Sequence, residues 1–205
     1  MADILSFDEY RYFNRLCKIV ASKPPKPYKP ERQGSLDGLC GVYCIVNAVG
    51  YVATLSPKQR KQLFKQLVKT LDHNKRMAKH LLRGTSNKQL CRMLVVAQKW
   101  LAEKYDMKLS FAPLFRPGAK LGLKSYLWHA DGFLQYKGSI IIAGIEGIHN
   151  HWTCVTSISP KTIQLLDSDG LSRLRVNTCR LSKAAQDEYH CFHPLRTWGM
   201  RLDTQ

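Results

Sequence analysis

The stretch that decides the fold is Gln33-Gly34-Ser35-Leu36-Asp37-Gly38-Leu39-Cys40-Gly41-Val42-Tyr43-Cys44-Ile45-Val46-Asn47-Ala48. A polar, Gly-rich turn runs into Cys40, and an apolar run follows without Pro or acid. This predicts a buried central helix from Cys40 to about Ala53. A thiol in the first turn of a helix lies at the positive end of the aligned peptide dipoles, which favours its thiolate. Gln33 sits upstream at the start of the turn, where the chain can return its side-chain N–H beside that sulfur to face an oxyanion. Cys44, one helical turn on, reads as a core residue, since Cys is among the most often buried residue types.

A nucleophilic Cys needs a base, and the base needs a group that orients its ring. Downstream, Gly147-Ile148-His149-Asn150-His151-Trp152-Thr153-Cys154-Val155 places a His at the start of an alternating β-branched run, and Ile163-Gln164-Leu165-Leu166-Asp167-Ser168-Asp169-Gly170 ends the next run in a turn. Two antiparallel strands joined near Ser159-Pro160-Lys161 bring the head of one beside the tail of the other. Strand parity leaves His149 and His151 as alternatives, and likewise Asp167 and Asp169, because each pair shares a face. Asp169 before Gly170 also has a turn-forming reading.

These residues, in the order Gln33, Cys40, His151, Asp167, resemble the papain-like cysteine peptidases, and most of all the compact branch of bacteriocin-processing, double-glycine-type peptidases. Arg83-Gly84-Thr85-Ser86 and the apolar-periodic segment after it resemble that family's Gly-Thr turn and third helix. The likeness spans roughly residues 33 to 176. It implies an α+β papain-like fold, with a helical N-terminal half whose central helix starts at the nucleophile, packed on a mainly antiparallel sheet. It implies a Cys40-His151-Asp167 triad with Gln33 at the oxyanion, and Gly41, Asn150 and Trp152 as substrate-facing neighbours. The activity implied is hydrolysis of a peptide or isopeptide bond through a thioester, with no cofactor. An acyltransferase or glutamine deamidase would use the same residues, and a non-catalytic basic module binding nucleic acid or an acidic protein is the alternative of a different class.

The rest of the chain fits this frame. Ser6 and Glu9 form a candidate capping box for a helix to about Ala21, and the stretch from Ser22 to Pro30 is a stiff, basic connector. The organisation expected is an N-terminal helix and connector over 1–32 and one domain over 33–205. Helices are expected near 57–72 and 87–105, the latter opened by Ser86 and Gln89, and strands near 107–114, 138–145, 151–158, 161–167 and 171–176. Helices first and strands second indicate an α+β domain.

Composition bounds the function. The 205 residues carry a formal charge of +17, which attracts polyanions. Between Pro57 and Arg92 there are eleven Lys or Arg against one acid, Asp72. Nucleic acid, an acidic protein or peptide substrate, and an anionic membrane are the partner classes this favours. No aromatic-interleaved RNA motif or finger spacing accompanies the charge. Seven scattered cysteines indicate reduced thiols and a cytoplasmic setting. The apolar stretches are too short to span a bilayer, and His149, His151 and the His190-Cys191-Phe192-His193 cluster lack the paired spacing of a zinc site. The sequence sets no oligomeric state.

Overall fold

The computed structural model describes residues 28–34, 38–71, 81, 84–181 and 188–203; the helix expected up to Ala21 and the first part of the connector lie outside them. Three helices come first: α1 (Cys40–Val52), α2 (Pro57–Leu71) and α3 (Asn87–Tyr105). Strand β1 (Leu109–Pro113) and helix α4 (Leu123–Leu134) follow, then β2 (Ser139–Gly147), β3 (His151–Ile158), β4 (Thr162–Leu166), β5 (Arg173–Arg175), β6 (Cys179–Leu181) and β7 (His190–Leu202). The sheet runs β1-β7-β2-β3-β4-β5, antiparallel throughout, with β6 joined in parallel to β7. The protein is an α+β domain.

Each helix of the first layer, α1 to α3, forms for a local reason. In α1 nearly every side chain is apolar or small, and all of its residues but Tyr43 and Tyr51 are buried, as for a helix enclosed on all sides. α3 opens with a capping box in which the Ser86 side chain accepts from the Gln89 backbone N–H while the Gln89 side chain returns to the Ser86 N–H. Two orphan donors of the first turn are thereby satisfied. α2 buries Leu63, Leu67 and Leu71 at four-residue spacing and leaves its opposite side to water.

The sheet alternates as a two-faced strand layer must. On β2, Ile140 and Ile142 join the core under α1, α2 and α3, whereas Ile141, Ala143 and Ile145 join a second core under α4. The sequence pattern predicts the first helical layer but assigns no element to α4. That segment carries Gly132 and four aromatic or imidazole side chains, opens on Gly122 rather than on a capping side chain, and so has low intrinsic helix propensity. Burial of Tyr126, Ala130 and Leu134 at four-residue intervals against the sheet holds it helical. The segment around the His190-Cys191-Phe192-His193 cluster, which reads in sequence as a late loop and strand, forms β7, the longest strand, and its place between β1 and β2 is what the sequence does not indicate.

The helical layer is pinned to the sheet by directed bonds. The Trp152 Nε1–H on β3 donates to the Thr85 carbonyl at 2.7 Å, and the Trp198 Nε1–H on β7 donates to Asn87 Oδ1 at 2.8 Å. Both acceptors lie at the start of α3, which fixes that end against β3 and β7.

Leu94 on α3 is fully buried in the first core, so Leu94→Ala is expected to cost about 2–5 kcal/mol in urea denaturation. Lys99→Ala on the exposed face of the same helix should stay within about 0.5 kcal/mol.

Candidate active site

Cys40 is the first residue of α1 and is 7% exposed. The helix has Leu39 at its N-cap, with no side-chain cap bond, so the field of the first-turn N–H groups is not occupied by a capping oxygen. On the sheet, β3 begins at His151, and β4 ends at Leu166, one residue before Asp167. Antiparallel pairing sets Cys154 opposite Leu166, so His151 and Asp167 fall at the same end of the ladder. There His151 Nε2 meets Asp167 Oδ2 at 3.0 Å. The other ring nitrogen is left for Cys40, whose sulfur is hydrogen-bonded to the imidazole and accepts from the backbone N–H groups of Trp152 and Gly41.

This geometry settles which alternatives meet. The His149 ring stacks on His190, with centroids 5.3 Å apart and planes 14° from parallel, while His151 takes the carboxylate. Asp169 is exposed, and its backbone N–H donates to Asp167 Oδ1 at 2.7 Å, with a second N–H from Leu171 at 3.4 Å. One carboxylate oxygen is therefore held by the turn and the other by the imidazole. The turn chemistry around Asp169 serves to aim Asp167.

Burial and partners pull the three ionisations in opposite directions, and the partners prevail. Burial raises the Cys40 thiol, yet the His151 hydrogen bond, the two backbone N–H groups and the imidazolium charge bring it below its ordinary value of 9.0. Burial lowers His151, but its bonds to Asp167 and Cys40 push it up to about 10. Asp167, 3% exposed, is raised by burial and lowered more by His151, so its carboxyl stays below the usual range. Between the lowered thiol value and about 10 the favoured state is thiolate, imidazolium and carboxylate in a row. Cys44 is the contrast: burial drives its thiol well above 9.0, and its sulfur lies 3.3 Å from that of Cys154 inside the core.

The segment before the site is laced to both of its sides. The Glu31 backbone N–H donates to the fully buried Asn47 side chain of α1, whose Nδ2 donates back to the Glu31 carbonyl. Two residues on, the Gln33 N–H donates to the Ser168 carbonyl at 3.0 Å. Gln33 is thus held between the helix that carries Cys40 and the turn that carries Asp167. Arg60 anchors the same segment from α2 through Glu31 and the Tyr28 ring.

Of the remaining residues singled out in the sequence, Gly41 and Trp152 are buried and Asn150 is exposed at the mouth of β3. Gly41 is a matter of space: a Cβ there would lie 2.6–2.7 Å from the Thr85 Cβ, Cγ2 and Oγ1. Sequence reasoning passed over Thr85 as a packing partner and Arg196, which pairs with Glu146 and lies 4.8 Å above the Trp152 ring. A bulky Thr beside a Gly-rich turn gives no periodic signal, and Arg196 acts across the sheet. Among the described residues no group of three or more His, Cys, Asp or Glu is placed to hold a metal.

A buried thiolate beside an imidazolium can attack an electrophilic carbon and return a proton to a leaving group. No protein-family model matches the chain, and no curated protein matches it.

Two outcomes follow from the site. Because Cys40 lies below 9.0 and His151 at about 10, the ion pair forms as pH rises through the lowered thiol value and is lost as pH rises through about 10. Iodoacetamide should alkylate Cys40 on a pH profile with its midpoint below 9, and His151→Ala should shift that midpoint upward and slow labelling at pH 6 by about tenfold or more. Gly41→Ala should destabilise by about 1–3 kcal/mol through overpacking on Thr85, and adding Thr85→Gly should restore part of the loss.

Proposed function

We propose that this chain is a cysteine-dependent hydrolase of papain-like fold that cleaves a peptide or isopeptide bond. The observation that carries this reading is the continuous hydrogen-bonded row of Cys40, His151 and Asp167 at the first turn of a buried helix. The arrangement of a helical layer with Cys at its inner helix start, set against an antiparallel sheet that supplies His and Asp, is consistent with that fold.

In the reaction, the Cys40 thiolate attacks the carbonyl carbon and forms the C–S bond. The oxyanion is held by the Cys40 backbone N–H and the Gln33 side chain, each such donor contributing on the order of 3 kcal/mol. His151 then passes its proton to the leaving amine as the C–N bond breaks. Water adds to the thioester, His151 takes a proton from it, and the C–S bond breaks to release the acid and regenerate the thiolate. Asp167 keeps the imidazole oriented throughout and stabilises its charge. Asn150, exposed just before β3, flanks the substrate's approach, while Gly41 and Trp152 are buried against Thr85. A working thiolate suits a reducing compartment, so the activity is placed in the cytoplasm. No described helix is long and apolar enough to cross a membrane.

A peptidyl vinyl sulfone and a proteome-derived peptide library test the reading. Wild type should form one covalent adduct at Cys40 and generate new peptide termini; Cys40→Ala should do neither. Asp167→Asn is expected to lower turnover by about tenfold or more, and Gln33→Ala by about 10²–10³. Equal cleavage by Cys40→Ala would overturn the proposal.

A further inference from the structure

We propose that the exposed faces of α2 and α3 form a binding surface for nucleic acid, gripping the phosphate backbone without selecting bases. On α2, Lys58, Lys61, Lys65 and Lys69 are all exposed. At 100° per residue they fall within an arc of about 80°, on the side away from the buried Leu63, Leu67 and Leu71. α3 repeats the device: Lys88, Arg92 and Lys99 are exposed opposite the buried Leu90, Leu94 and Leu101. The two helices pack on each other, which places the rows in one neighbourhood.

These charges are available. α2 contains no acid, and α3 contains only Glu103, near its C-terminal end. Among the described residues, the ion pair made from α2 uses Arg60, which lies off the row and joins Glu31, and no row cation is in an ion pair. Holding seven like charges on two rigid helices, with Glu103 as the one acid on either helix, raises the energy of the isolated protein and is relieved by a polyanion.

The shape selects among polyanions. The α2 row spans about 16 Å at 1.5 Å per residue, the length of about five base steps at 3.4 Å. A straight row of ammonium groups on a convex rod matches phosphates at fixed spacing, and lysines bind them as point charges that carry no base information. A bilayer is the poorer fit, because a helix that lies in a membrane surface must expose an apolar face, whereas α2 exposes no large apolar side chain and Val95 is the one on α3. An extended acidic peptide is recognised along a groove or a sheet edge, and two convex helix faces offer neither. The row on α3 starts one turn after Thr85, the neighbour of Gly41, and uses none of the groups at the thiol.

Fluorescence anisotropy with a labelled DNA duplex and a labelled single-stranded RNA, using the full chain between 50 and 200 mM salt, tests this. With all seven cations engaged, log K should fall against log salt with a slope near about −6 on duplex, a loss of about a thousandfold or more over that range. Replacing Lys58, Lys61, Lys65 and Lys69 by Gln should flatten the slope by about 3 to 4. Replacing the exposed Lys120, Lys124, Lys161 and Arg173 by Gln removes the same charge from elsewhere on the surface and should flatten it by less than about 1. Cys40→Ala should bind as wild type, and the four-Lys variant should keep wild-type alkylation at Cys40, so this proposal and the catalytic one fail separately. Equal effects of the two charge-matched variants would reduce the binding to net charge and overturn the assignment. Equal or tighter binding of poly-glutamate, or of phosphatidylserine vesicles, would overturn it too.

Discussion

The arrangement depends on one buried contact, His151 against Asp167. Taking an imidazolium and a carboxylate out of water is costly, and each is tolerated only because the other, together with backbone N–H groups, replaces the lost solvent. Asp167 meets this condition by accepting from the turn at Asp169 and Leu171 with one oxygen and from His151 with the other. His151 in turn supplies the positive charge that keeps Cys40 ionised despite its burial. Removal of any member leaves an uncompensated charge, so the three ionisation states rise and fall together.

Around that contact the fold acts as a positioning frame. The antiparallel β3–β4 pair brings the imidazole and carboxylate to one end of the ladder. α1 delivers the sulfur from the other layer, and the distance between layers is set by Thr85, which touches Gly41 on one side and receives the Trp152 indole N–H on the other. The segment through Glu31 and Gln33 closes the arrangement by bonding both to α1 and to the turn after β4. Four separate stretches of chain are thus locked at a single point, each by a directed bond or a tight contact.

Much of this was legible in the residues, and the parts that were not share a cause. The boundaries of α1, α2 and α3 follow from apolar periodicity and the Ser86/Gln89 box, signals that lie within each segment. The strand pair holding His151 and Asp167 was likewise readable from two β-branched runs and a turn. His151 is favoured over His149 because it directly precedes the hydrophobic run and Trp152, a choice strand parity alone does not make; in the structure β3 begins at His151, His149 lies before it, and His151 bonds Asp167. α4 escaped because its helicity comes from packing against the sheet rather than from its own sequence, and the central place of β7 because strand order is a property of tertiary pairing. The basic rows on α2 and α3 were visible as charge, but their confinement to the exposed sides emerges only once the buried leucines are located.

The central claim is that Cys40 is a thiolate sustained by a charged His151. Ultraviolet thiolate absorbance, titrated in wild type with the Cys40→Ala titration subtracted, reads that ionisation directly. The account requires the Cys40 signal to appear below pH 9 in wild type and to move upward in His151→Ala. A Cys40 signal that rises at or above pH 9 in both proteins would contradict it.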